Sequence, residues 1–210
     1  MNMNVSQADM QGMMNRIVRL AKLDTTVFDE VRLDAGATIP SIIVAAAATL
    51  LSGLGGLLWW LVVLDVGRGD KQTGTFFFKS VIMGSIFAFA LWIAWVLVVY
   101  VVLTQVLKAQ ADMQQLFRTM GMAAAPLALS LLIFIPKISF GVGLASVAMM
   151  FGLSTLATQA TTNASPGKAL VANAAGFAVW AVVLALLVGN GDPGKMYVPG
   201  FMIFGAGSGG

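Results

Sequence analysis

Residues 116–143 read LFRTMGMAAAPLALSLLIFIPKISFGVG. This stretch predicts a short membrane helix broken by proline, a very tight turn, and the start of the next helix. Arg118 stands at its head. Gly121 to Ile135 is only fifteen residues, short of the roughly 20 that cross a bilayer, unless the helix begins near Gln114. Pro126 removes a backbone donor and crowds the preceding turn, so the helix should kink there. The carbonyl freed by the proline needs a partner inside the protein, because lipid offers none. Pro136 and Lys137 leave room for only a tight turn, so the third and fourth membrane helices form an antiparallel hairpin. Ser139, Gly141, Gly143 and Ala145 would let the fourth helix pack closely at its start.

Composition agrees with a membrane setting. Of 210 residues, 59% are hydrophobic and 10% charged, against about 25% charged in a soluble domain. Mean hydropathy is +0.89. The net charge of +3, confined to short polar segments, suits anionic lipid headgroups and not nucleic acid. The chain has no His and no Cys, which removes disulfides, zinc sites and His-ligated haem. We therefore expect no catalytic residue, no metal ligand and no cofactor. The polar start MNMNVSQADMQ lacks a basic segment followed by an apolar one, so no cleavable signal is expected.

Three regions follow. Residues 1–38 form an N-terminal amphipathic segment. Met10, Met13, Met14, Ile17, Leu20 and Ala21 recur at helical spacing among Arg16, Arg19 and Lys22. This predicts a helix in the membrane interface, with its apolar side in lipid and its basic residues at the headgroups. Thr26 with Asp29 and Glu30 opens a second short helix, whose Val27, Phe28 and Val31 make a small apolar face, and both helices are expected to pad the transmembrane bundle rather than form a dedicated lipid sensor. Residues 39–188 form a transmembrane domain of five helices, at about 39–64, 81–107, 118–135, 138–158 and 168–188. Residues 189–210 are a Gly-rich tail. The predicted fold is thus an all-α integral membrane protein, with five transmembrane helices after N-terminal amphipathic interfacial helices.

Within the spans, Ala48, Ser52 and Gly56 recur every four residues and form a stripe that a neighbouring helix can approach closely. Trp92, Trp95 and Tyr100 offer either bundle packing or a surface for a neighbouring subunit, lipid or pigment. Asn173 is expected to bond to an adjacent helix. The loop at 65–80 carries glycines without the spacing of a phosphate-binding loop, and Phe76, Phe77 and Phe78 in it are expected to dip into the interface. Arg118 should meet lipid phosphate or Asp112. In the tail, Phe201 and Phe204 are the residues by which a partner would clamp a terminus that otherwise frays.

Seven of the twelve Lys and Arg residues lie on the N-terminal side of this topology, which favours a cytoplasmic N-terminus and a C-terminus on the opposite face. The chain resembles the bacterial branch of the Ypt-interacting-protein (YIP) domain family. The resemblance rests on RIVRLAKLDTTVFDEVRLDAGAT, on Arg118-x-x-Gly121-x-x-x-x-Pro126, on Ile135-Pro136 with glycines following, and on SPGKAL opening the last helix. It covers roughly residues 14 to 188. It implies five membrane helices, a cytoplasmic N-terminus and a place in the bacterial cytoplasmic membrane. Eukaryotic members act in vesicle traffic with Rab-type GTPases, but their acidic-tyrosine-glycine-proline signature is missing here, so that activity is not carried over.

The favoured reading is a non-catalytic accessory or scaffold subunit, as of a bacterial respiratory or photosynthetic complex. Its partners would be membrane lipids and other integral membrane proteins. One alternative is a transporter or channel for a neutral solute or lipid, lined by Asn173, Gln105 or Gln159. Another is a membrane-shaping or trafficking-type protein. The predicted spans hold no ionisable residue except at their ends, which counts against ion or proton coupling.

Overall fold

A computed structural model of the chain describes residues 7–62 and 77–187. Residues 63–76, with Phe76 and most of the predicted 65–80 loop, lie outside these residues, as does the tail with Phe201 and Phe204, while Phe77 and Phe78 are described and exposed. The described residues are mainly helical, with seven α-helices: α1 (Gln7–Ala21), α2 (Thr26–Leu33), α3 (Thr38–Val62), α4 (Gly84–Val101), α5 (Met113–Ala123), α6 (Ser139–Ala160) and α7 (Pro166–Leu187). A single 3-10 turn, Ala35–Ala37, joins α2 to α3. Wider π-helical turns, Phe78–Met83 and Val102–Val106, extend α4 at both ends. Five segments are long and apolar enough to cross a membrane: Ala35–Trp59, Val81–Val106, Met113–Phe134, Ser139–Ala160 and Pro166–Leu184. The chain is a multi-pass membrane protein with two short helices ahead of its spans.

The third span explains how a proline-broken stretch crosses at all. It starts at Met113, where Asp112 caps α5 by accepting a bond from the Gln115 backbone N–H at 2.8 Å. The α-helix stops at Ala123, and Ala125–Phe134 continue as a ten-residue 3-10 helix with Pro126 in its first turn. A proline without N–H is tolerated there. A 3-10 helix rises about 2.0 Å per residue against 1.5 Å for an α-helix, so these ten residues cover about 20 Å and not 15 Å. The break lengthens the span as well as bending its register. Ile135, extended as the residue before a proline tends to be, ends the segment. The turn at Pro136 and Lys137 then leads into α6.

The third span is also the most buried, at 61% of its apolar window, against 56% for the first and 33–39% for the others. It packs on the first and the fourth spans. The fourth packs on the fifth, the fifth on the second, and the second on the first. The five spans therefore close into a ring. The first and third run in the same direction, since Gly121 meets Ser41 and Gly55 meets Ser130.

The N-terminal helices pad the bundle, so the inner side of α1 faces the spans and not lipid. Met13, Leu20, Val27, Phe28 and Val31 are buried in the same core as the spans, and α2 packs on α5 and α6. Their arginines are paired within the layer. Arg16 pairs with Asp34 at 2.8 Å, Arg19 with Asp24 at 2.8 Å and Glu30 at 2.8 Å, and Arg32 with Asp29 at 3.0 Å. The reason is stereochemical. α1 ends in a Schellman closure, with Leu23 N–H bonded to Leu20 O and Asp24 N–H to Arg19 O, and Leu23 sits at φ 62°. The chain folds back at once, which brings the arginines of this layer to its own carboxylates.

Candidate functional site

Arg118 lies at the N-terminal end of the third span and is only 8% exposed. Sequence reasoning paired it with Asp112 or lipid phosphate. The structure gives it other partners, and Asp112 caps α5. Its Nε donates to Thr38 Oγ1 at 2.7 Å, Nη1 to the Arg32 carbonyl oxygen at 3.0 Å, and Nη2 to Gln114 Oε1 at 3.2 Å. The Arg32 carbonyl belongs to the last turn of α2, where unpaired carbonyls carry partial negative charge. The guanidinium fork therefore ties the end of α2, the start of α3 and α5 together. Its role is to position the N-terminal layer on the bundle.

A second polar node lies deep in the spans. Asn173 on α7 is fully buried. It accepts a bond from Trp95 Nε1 at 3.0 Å, and its Nδ2 donates to Thr155 Oγ1 at 2.8 Å and to the Phe151 carbonyl oxygen at 3.1 Å. One amide thus links α4, α6 and α7, as a buried polar group in lipid must be linked. Around it Phe177 meets Trp95 edge-on at 5.3 Å, stacks on Trp180 at 5.6 Å and tilts on Phe151 at 5.0 Å. Gly176 lies against the Trp95 indole, with a would-be Cβ 2.8 Å from the Trp95 carbonyl oxygen. Only glycine fits that approach.

Trp92 and Trp95 are 1% and 0% exposed, so they offer no surface to a subunit or pigment and serve the bundle core. Trp92 stacks on Phe89 and meets Phe117 edge-on. Ala48, Ser52 and Gly56 are likewise buried. The adjacent Gly55 approaches the third span closely: its would-be Cβ runs into the Ser130 carbonyl and stands 2.8 Å from Leu131 Cα. Pro126 is buried at the head of the 3-10 segment, while Pro136 is exposed in the turn. In the hairpin, Ser146 Oγ lies within 2.8 Å of the Gly143 carbonyl and of Ser130 Oγ. Gln105 is exposed and Gln159 half-buried, while both ends of the Asn173 amide are engaged within the bundle.

The structure corrects the reading of the fourth helix. Of the small residues at its start, Gly143 is buried, whereas Gly141 and Ala145 are exposed. With Ala148 and Gly152, also exposed, they follow each other at four, three and four residues along one outward face. A Cβ built on Gly141 or Gly152 meets nothing within 4 Å. On the side of the bundle that carries α2, the loops before α5 and before α7 meet at an Ala111–Thr162 bridge. They border an open polar cleft of about 440 Å³ that includes Arg32, Gln110, Asp112 and Asn163.

No protein-family model matches the chain, and no curated protein and no solved structure matches it either.

Proposed function

We propose that the chain is a non-catalytic scaffold or accessory subunit that packs its fourth span against a helix of another integral membrane protein. The outward face of Gly141, Ala145, Ala148 and Gly152 carries this reading. Small residues let two membrane helices approach closely, and van der Waals packing at such faces drives association in lipid. Inside the same fold, Gly55, Gly121 and Gly176 each have a neighbour pressed against them. Gly141 and Gly152 present the same chemistry with nothing against them. The buried polar groups support the same reading, since Arg118 and Asn173 are engaged in holding helices together.

The YIP-type resemblance in helix number and motif order supports a cytoplasmic N-terminus, as does the excess of Lys and Arg on that side. The test is photo-crosslinking from Ala148 in the native membrane. A discrete adduct with one other integral membrane protein supports the subunit reading. Adducts with lipid only would overturn it.

A further inference from the structure

Where α1 lies against the break in the third span, the structure has an apolar cleft of about 240 Å³. Its walls are Ile17, Leu20 and Ala21 of α1, Ala128 and Leu129 of the 3-10 segment, and Leu153 of α6. Pro126 helps to form its floor. Along α1 the wall residues recur at three and four, the spacing of one helix face. The small side chains at the break create the concavity, and Leu129 and the nearby Leu132 are 41% and 39% exposed. A hydrocarbon chain is chemically suited to such a wall.

Charge indicates the rest of the occupant. The two N-terminal helices and the turn between them carry four cations. Arg16, Arg19 and Arg32 each have a carboxylate partner. Lys22, which directly follows the wall residue Ala21, is exposed and has no ion pair among the described residues. An apolar cleft whose wall is followed in the chain by an exposed cation with no ion pair among the described residues matches a phospholipid, with an acyl chain in the cleft and its anionic phosphate at the lysine.

We infer that this cleft binds one anionic phospholipid, its acyl chain between α1 and the 3-10 segment and its headgroup on Lys22. The test is native mass spectrometry of the full chain from detergent micelles doped equally with phosphatidylglycerol and phosphatidylcholine. One retained phosphatidylglycerol is expected, favoured about fivefold, the ratio that one lysine near an anionic headgroup supplies. Lys22→Glu should remove the preference while the fold stands, and Ala128→Trp should fill the cleft and lose the retained lipid. If Ala128→Trp fails to fold, Lys22→Glu decides alone. No retained lipid, or a preference that Lys22→Glu leaves unchanged, would overturn the inference. Cross-linking of residues 1–6 or of a second copy to Leu129 would overturn it as well, by showing another occupant.

Discussion

Gly121 and Ser41 meet backbone against side chain and backbone: a Cβ on Gly121 would stand 2.6 Å from the Ser41 carbonyl oxygen and 2.9 Å from its Cβ. Two spans that run in the same direction are in contact here, and Gly55 against Ser130 repeats the contact further along. The pair of contacts sets the first and third spans as the core of the ring.

Gly121→Val should therefore destabilise the bundle by about 1–3 kcal/mol, the usual cost of overpacking. The neighbouring atoms are largely backbone and cannot move aside. Gly152→Ala, where the added carbon meets nothing, should leave stability within about 0.5 kcal/mol, as surface substitutions do. Thermal unfolding of both variants in detergent makes the comparison. Equal melting would mean that the two helices do not touch at Gly121.

Asn173→Leu should cost about 1–3 kcal/mol, because it strands the Trp95 indole N–H in a buried site. The chain has five tryptophans, and Trp95 touches Phe177 and Trp180 directly. Loss of the amide should therefore shift tryptophan emission as well as the midpoint of denaturation. A variant with unchanged midpoint and spectrum would show that the amide does not hold Trp95.

Arg118→Met removes three bonds at once, to Thr38, to the Arg32 carbonyl and to Gln114. Hydrogen bonds to a charged group contribute about 1.5–3 kcal/mol. Amide exchange should rise across residues 26–38 and stay slow in α7. Uniform exchange across the whole chain would mean that Arg118 supports the entire bundle and not the N-terminal layer.

Acid should loosen α1 through Asp24. The Thr26 hydroxyl and the Arg19 guanidinium both donate to this carboxylate and hold it below the usual carboxylate range. A depressed folded value contributes stability that is present above the unfolded value, near 3.9, and is lost as pH falls through the folded one. Arg19 is raised by the same pair, and its contribution is lost only at extreme alkaline pH. A spin label on Met14→Cys, unique because the chain has no cysteine, should become mobile below about pH 4. Adding Asp24→Asn should abolish that response. Mobility independent of pH in both proteins would remove Asp24 from the account.

Much of the fold was legible because hydrophobic length is a strong signal. Five apolar runs, the helix start near Gln114 and the tight turn at Pro136 all follow from residue type and spacing. The form of the break at Pro126 was not legible. A proline announces lost α-helical bonding, but ten residues of 3-10 helix depend on the Gly55 and Ser146 contacts from other spans. Facing was the other difficulty. On a helix that is apolar all round, periodicity does not separate core from lipid, so Gly141 and Ala145 read as inward although they look outward. Trp180 and Phe177 escaped notice for the same reason. Arg118 was marked by its position at a span end, while its partners Thr38 and Arg32 lie some 80 residues away.

The proposed partner of this chain docks on the outward face of the fourth span. Native mass determination of the tagged full-length chain in mild detergent, beside Gly152→Ile, tests it most directly. A stoichiometric complex with a second integral membrane protein is expected for the native chain, and the 22.0 kDa chain alone for the variant. The chain alone in both preparations, or a complex untouched by the isoleucine, would contradict it.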